Sequence, residues 1–244
     1  MSKLKAVILA AGKGTRMNSD LPKVVHKCMD QPMVHYVIKA AKDAGAFDVC
    51  VIVGYKAGEV KSAIYDIVDY AEQTEQLGTG HAVKCAKDFI GTEGDTIVLC
   101  GDTPLITGET LKALVDAHKK EANGVTVLSA IVDDPTGYGR IVRDADGNFT
   151  KIVEQKDGTE EELAVKEINS GMYIFNSEAL SASLELLDNN NAAGEYYLTD
   201  TIALIKKIGL KTGALAVTGD KVNEIKGVNT IPQLKEAEEI MKNR

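Results

Sequence analysis

The feature that most constrains this chain is a series of short, β-branched apolar runs separated by helical patterns. Residues 5–10 (KAVILA), 48–54 (DVCVIVG) and 95–100 (DTIVLC) each read as a strand buried on both faces, and 66–71 reads as a further one. Between them, 32–44, 58–64 and 79–89 read as helices; Pro32 suits a first helical turn and Gly45 a stop. Crossover helices cover both faces of a parallel sheet, so its strands carry continuous apolar runs and no polar side. Residues 107–122 continue the pattern as a helix closed by Asn123-Gly124. Beyond it the pattern loosens. Residues 124–132 and 168–175 read as strands. Segments 140–143 and 148–155 flank Asp144-Ala145-Asp146-Gly147 as a hairpin, and 199–208 and 230–242 read as helices. The expectation is one α/β domain with a mainly parallel central sheet and a small antiparallel, substrate-facing insertion. No repeat, low-complexity tract or Pro/Ser-rich linker divides it, and 244 residues are enough to bury a sizeable core.

Composition removes several function classes. With 44% hydrophobic and 26% charged residues the chain is neither disordered nor collagenous. No apolar run approaches the roughly 18 residues that cross a membrane, and AVILAA near the N-terminus is too short for a secretory signal. The four cysteines (28, 50, 85, 100) form no CxxC pair, which fits a reducing cytoplasm. A net charge of −8 argues against a nucleic-acid partner. An acidic chain can still bind anions where its positive charge is concentrated.

That concentration lies in LAAGKGTRMNSDLPK, residues 9–23, directly after a buried strand. Ligands of α/β sheets sit beyond the carboxyl ends of strands. Gly12 and Gly14 let the backbone approach a ligand and expose successive N–H groups, suited to phosphate oxygens or a base edge. Lys13, Arg16, Lys23 and Lys27 lie within residues 11–27, opposed there only by Asp20. The loop is not GxGxxG, because Met17 takes the last glycine position, and GxxxxGK[ST] is absent; dinucleotide oxidoreductases and P-loop NTPases lose ground. A bare GxG turn can also be a flexible connection with solvated lysines.

The segment LAAGKGTRMNSDLPKVVH resembles the opening of the sugar-nucleotide pyrophosphorylases, in particular the bacterial GlmU-type N-acetylglucosamine-1-phosphate uridylyltransferases. Similar segments follow in order: TEQLGTGHA at 74–82, CGDTPLI at 100–106, DDPTGYGRI at 133–141, IVEQKD at 152–157, EINSGMY at 167–173, GEYYLTD at 194–200 and GVN at 227–229. The resemblance implies a Rossmann-like, GT-A-like nucleotidyltransferase fold over 1–229, with 230–244 as a C-terminal helix. The implied reaction is Mg2+-dependent transfer of a uridylyl group from UTP to N-acetylglucosamine 1-phosphate. Glucose 1-phosphate or a thymidylyl donor is the runner-up, and a non-catalytic sugar-nucleotide sensor a third reading. A phosphate nucleophile is already anionic near neutral pH, so no general base is needed; the four histidines form no evident triad or metal pair. The protein's work is positioning and charge neutralisation.

The resemblance assigns the residues. Asp102 and Asn229 are the metal ligands, although Asp102 taken alone could cap the next helix and Asn229 could be a turn. Arg16 and Lys23 hold the departing pyrophosphate, while Lys13 and Lys27 read as surface lysines. Leu9, Ala10, Ala11, Gly12, Lys23, Gln73, Gly78 and Thr79 contact the nucleotide. A glutamine amide both donates and accepts, matching the imide edge of uracil; Gln76 is the weaker candidate. Thr79 is also the expected N-cap of its helix. Gly139, Glu154, Asn169, Tyr197, Thr199 and Asn229 lie on the sugar side, where a turn, a solvated charge, a bulge, a core tyrosine or a cap are the plainer readings. Cys100 stands where relatives are expected to carry tyrosine. No hexapeptide repeats of a left-handed β-helix follow, so acetyl transfer is expected to be absent and the chain to be a monomer or weak homo-oligomer.

Overall fold

The computed structural model describes residues 3–244. Strand β1 (Leu4–Ala10) runs into two short 3-10 turns, Thr15–Met17 and Lys23–Val25. A small hairpin, β2 (Lys27–Cys28) and β3 (Gln31–Pro32), leads to helix α1 (Met33–Asp43). Gly45, at φ 98°, ends α1: its N–H donates to Lys42 O at 2.9 Å and that of Ala46 to Ala41 O at 3.0 Å. This paired closure needs a left-handed residue, which glycine adopts without strain. Then come β4 (Asp48–Val53), α2 (Ala57–Ala63), β5 (Asp69–Glu72), α3 (Thr79–Cys85), α4 (Lys87–Ile90) and β6 (Asp95–Cys100). The single helix expected over 79–89 is broken at Ala86, whose φ of −95° and ψ of 14° leave the α region.

Helix α5 (Gly108–Glu121) starts at Thr107, whose hydroxyl accepts from Thr110 N at 3.2 Å. Strand β7 (Val125–Ile131), the hairpin β8 (Arg140–Arg143) and β9 (Phe149–Val153), and the one-turn α6 (Glu160–Leu163) follow. Strand β10 (Glu167–Asn176), α7 (Ser177–Glu185), α8 (Asp200–Lys207), β11 (Thr212–Val217) and α9 (Ile231–Lys242) complete the chain. Among the described residues no helix is long and apolar enough to cross a membrane.

The sheet order is β11-β7-β10-β6-β1-β4-β5, with β8 and β9 attached through β10. Strand β1 pairs in parallel with both β4 and β6, β4 with β5, and β7 with β11, whereas β10 is antiparallel to its neighbours. The mainly parallel sheet with an antiparallel insertion is as the apolar runs required. Alternate side chains feed opposite layers. Ile8, Val51, Ile97 and Leu99 pack with Val37, Ile38, Leu111 and Leu114 of α1 and α5. Val7, Ile52, Val98 and Phe175 pack with Val83, Leu180, Leu184 and Ile202 of α3, α7 and α8. Fully burying one such side chain contributes about 1.5–3 kcal/mol.

The chain passes from β1 to β4 and β5 on one side, then returns to β6 on the other. The strand order therefore reverses beside β1, the place where open α/β sheets bind ligands. Leu9 is in register with Cys100, Ala10 with Val53, and Val53 with Glu72. One sheet edge thus carries the residues that follow each strand: Ala11-Gly12, Gly101-Asp102 and Gln73.

Candidate active site

Leu9, Ala10, Ala11, Gly12, Lys23, Gln73, Gly78 and Thr79 all line one cleft of about 390 Å³, together with Cys100 and Asp102. The loop after β1 forms its wall. A Cβ on Gly12 would meet nothing within 4 Å, so its backbone faces open space. Gly14, at φ 66°, is different, since a Cβ there would lie 2.5 Å from Lys23 Cβ. The loop folds back on the segment that carries Lys23, and only glycine permits both the dihedral and the approach.

Asp102 and Asn229, far apart in sequence, meet at the mouth of this cleft. Lys23 Nζ donates to Asp102 Oδ2 and, at 2.8 Å, to Asn229 Oδ1. Arg16 Nη2 donates to the same Asn229 Oδ1 at 2.9 Å. The Lys23 and Asp102 side chains are 17% and 18% exposed, so this pair is set into the surface rather than spread over it. The backbone enforces the convergence: Val228 N donates to Asp102 O at 2.8 Å. A Cβ on Gly227 would lie 3.5 Å from both Asp102 carboxylate oxygens, so the chain bearing Asn229 passes directly over the carboxylate.

The donor set fits magnesium. One carboxylate oxygen and one amide oxygen already share a single cationic nitrogen, so both lie within reach of one ion. Magnesium is a hard ion that takes few protein oxygens and completes its shell with water and phosphate. Among the described residues no group of three or more His, Cys, Asp or Glu side chains could hold a metal.

Sequence reasoning passed over the residue that fixes Asn229. Gln233 Oε1 accepts from Asn229 N at 2.8 Å and from Thr230 N at 3.1 Å, and Thr230 Oγ1 accepts from Gln233 N at 3.4 Å. This capping box starts α9 immediately after Asn229. Its signal, Thr230-x-x-Gln233, was present in the sequence. Helix α9 in turn packs Leu234 and Ala237 against Met17, Cys28, Met33 and Leu105.

Gln73 is 3% exposed and follows β5 into the cleft. Its Nε2 donates to Gly78 O at 3.1 Å and lies 3.1 Å from His81 Nδ1. Gln76 also lines the cleft but is exposed. Thr79 is not the N-cap of α3. Gly78 holds that position at φ 114°, without a side-chain cap, and Thr79 Oγ1 instead accepts from Leu198 N at 3.1 Å. The hydroxyl joins α3 to the loop after Tyr197, which places it in tertiary rather than local service.

The sugar-side candidates gather around Glu154. A Cβ on Gly139 would lie 3.4 Å from Glu154 Oε2 and 3.5 Å from Asn169 Cβ. Thr199 Oγ1 donates to Glu154 Oε1 at 3.0 Å, and Glu154, Tyr197 and Thr199 line a second cavity of about 320 Å³. Thr199 occupies the N-cap position of α8 without making a cap bond. Asn169 does sit in a bulge of β10: its Oδ1 accepts from Gly171 N at 2.9 Å and its Nδ2 donates to Tyr173 OH at 2.7 Å. Burial raises the Glu154 carboxyl above its ordinary range, against the Thr199 hydrogen bond, with nearby Asp200, Asp157 and Glu195 adding to the rise. Burial also pushes the Tyr197 phenol up to about 12, helped by Asp157 and Glu154. Cys100 lines the first cleft. Its Sγ donates to Gly171 O at 3.4 Å. Burial first and Asp102 second push its thiol up to about 12, with Lys23 opposing. Lys13 and Lys27 are exposed.

A raised carboxyl binds its proton more tightly in the folded protein than in the unfolded chain. The penalty is absent below the ordinary value of 4.5, grows as pH rises through it, and is complete above the folded value. Glu154→Gln keeps the acceptor for Thr199 and removes the buried charge. It should therefore leave the melting temperature at pH 8 unchanged or higher, while raising KM for the sugar substrate about tenfold, the worth of one charge-assisted hydrogen bond. A clear loss of stability at pH 8 without a change in KM would remove Glu154 from the sugar side.

A family model described as Nucleotidyl transferase matches residues 5–219. The chain is 53% identical over 244 residues to a "Bifunctional protein GlmU" of Caldanaerobacter subterraneus subsp. tengcongensis, covering 100% of this chain and 53% of that protein. It is 52% identical over 240 residues to the protein of the same name from Clostridioides difficile, covering 98% and 52%. The chain thus spans about half the length of the curated relatives it matches. A solved structure of a putative glucose-1-phosphate thymidylyltransferase from Bacillus anthracis, in complex with a sucrose, superposes with a TM-score of 0.78 at 22% identity, covering 99% of this chain and 96% of that one. At that identity the likeness is one of fold.

Proposed function

The chain belongs to the nucleotidyl transferase family, and on that premise we propose that it transfers a uridylyl group from UTP to N-acetylglucosamine 1-phosphate, giving UDP-N-acetylglucosamine and pyrophosphate. The observation that carries this reading is the meeting of Asp102, Asn229, Lys23 and Arg16 at the mouth of the cleft formed by Leu9–Gly12 and Gln73–Thr79. Asp102 and Asn229 would hold a magnesium ion, which would supply charge neutralisation between two anionic reactants. The glycine loop offers its backbone to the nucleotide, and Lys23 and Arg16 turn from Asn229 to the pyrophosphate that leaves. Gln73 faces the base. Gly139, Glu154, Asn169, Tyr197 and Thr199 orient the sugar so that its phosphate oxygen attacks the α-phosphorus in line. No chain residue is asked to remove a proton from that oxygen. Such a site works by holding reactants in an attack geometry and by aiming fixed charge at the transition state. The choice of N-acetylglucosamine rests on the joint presence of YGR, INSG and EYYLTD. A cytoplasmic monomer or weak homo-oligomer is part of the same proposal.

The deciding experiment is pyrophosphate release with UTP, CTP, ATP and dTTP against glucose, galactose and N-acetylglucosamine 1-phosphates, with and without magnesium. Preference for UTP and N-acetylglucosamine 1-phosphate is the expected result. UTP binding without pyrophosphate release from any sugar phosphate points to the sensor, and preference for dTTP or glucose 1-phosphate to the runner-up enzyme. Lys23→Ala should raise KM for UTP about tenfold or more while leaving that for the sugar phosphate within a few-fold, since one charge-assisted contact to phosphate is lost. A change confined to the sugar constant would move Lys23 out of the phosphate site.

A further inference from the structure

We infer that His81 is a positioning residue for base selection, locking the Gln73 amide in the orientation that reads uracil; the inference rests on the uridylyl reading above. Gln73 is buried at the back of the cleft, and both hydrogens of its Nε2 have partners. One goes to Gly78 O at 3.1 Å and the other to His81 Nδ1 at 3.1 Å. A backbone carbonyl is an acceptor only, so the amide nitrogen must be the atom that faces it. The second hydrogen then requires His81 Nδ1 to be the acceptor, with the ring proton on Nε2. Reversing the amide would set Oε1 against the Gly78 carbonyl and the unprotonated His81 nitrogen at once.

The consequence falls on the remaining atom. Gln73 Oε1 accepts no hydrogen bond from the described residues, and Gln73 lines the cleft. Held this way, the side chain offers the base an acceptor and no donor. The imide N3 of uracil carries a hydrogen and satisfies it. The N3 of cytosine is itself an acceptor and is turned away. A free glutamine amide would rotate and serve either base. Selectivity therefore comes from the partners that spend the amide hydrogens, of which His81 is the side chain.

His81 is itself held in place. It lies on α3, whose first residues are tied to the Tyr196 segment by Gly80 N donating to Tyr196 O at 2.8 Å, and its ring stands 6.4 Å from that of Tyr196. Its ring contributes bulk on one side and a single acceptor nitrogen on the other, and the two can be separated by substitution.

The test is the ratio of kcat/KM for UTP to that for CTP, which does not depend on the fraction of active protein. His81→Phe keeps the ring and removes the acceptor. His81→Asn puts an amide oxygen near the place of Nδ1. The phenylalanine variant should lose about tenfold in the UTP/CTP ratio, the worth of one orienting hydrogen bond, mainly through KM for UTP and with KM for the sugar phosphate unchanged. The asparagine variant should recover most of that ratio. A ratio in His81→Phe within twofold of the parent, or an equal fall in His81→Asn, overturns the role of His81. An unsubstituted protein with no preference for UTP over CTP overturns the uridylyl reading itself.

Discussion

Asp102→Ala should lower turnover by about 100-fold or more under saturating substrates and magnesium, the scale of a single electrostatic contribution aimed at a transition state. Asp102 supplies a carboxylate at the meeting point; the other oxygen that Lys23 meets there belongs to the neutral amide of Asn229. Without it an ion at the proposed site would keep one protein ligand, and Lys23 loses the carboxylate that its ammonium pairs with. The fold should survive the change. Asp102 joins the segment before Asn229 through its backbone oxygen, which accepts from Val228 N, and alanine retains that bond. The side chain is only partly buried, at 18% exposed. Steady-state pyrophosphate release and a thermal melt separate the two effects. Wild-type turnover with magnesium removes Asp102 from the metal site, while lost turnover with a collapsed melt shows a structural role instead.

Gly78→Ala should damage both stability and nucleotide binding. Gly78 adopts φ 114°, outside what L side chains accept, and its Cβ would stand 2.5 Å from Tyr196 O and 2.8 Å from Tyr196 N. Both are backbone atoms, and both are committed: Tyr196 N donates to Leu77 O and Tyr196 O accepts from Gly80 N, each at 2.8 Å. Neither can give way without breaking this strap. Backbone strain of this kind costs about 1–3 kcal/mol, and for a chain of this size each kcal/mol lowers Tm by about 2–4 °C. A fall of roughly 2–12 °C is expected on those grounds. The carbonyl of Gly78 also anchors the Gln73 amide, so KM for UTP should rise about tenfold with it. A variant with the parent's Tm and KM would show that the strap is not rigid.

The elements read most easily from sequence were those whose local signal and tertiary role coincide. β1 and β6 are β-branched runs buried on both faces. Thr107 stands where α5 needs a cap and makes the cap bond. Gly45 stands where α1 needs a left-handed residue. The elements that were not legible include α7 and β11. In α7 the buried face carries Ser177, Ser181 and Ser183, which hides its apolar period. Ser177 and Ser181 are satisfied only in the folded chain, by Thr96 Oγ1 at 2.8 Å and Gly91 O at 2.6 Å, while Ser183 donates within its own helix to Leu180 O at 2.9 Å. Strand β11 (TGALAV) is half-buried at the sheet edge and rich in small residues of weak strand preference; its parallel pairing with β7 creates it.

The candidate site divides in the same way. Its residue types and their order were present in the chain: a glycine loop after a buried strand, an aspartate just past another, a glutamine past a third, an asparagine before the final helix. That much the amino-acid order determined, because strand ends and turns are set by neighbours in sequence. Tertiary structure alone decided that Asp102 and Asn229 both accept from the Lys23 ammonium, that Gly14 makes room for Lys23, and that the Gln73 amide nitrogen meets Gly78 and His81. These depend on strand order at the sheet edge and on helix docking. Each requires groups far apart along the chain to arrive within hydrogen-bonding distance, and no local pattern encodes such an arrival.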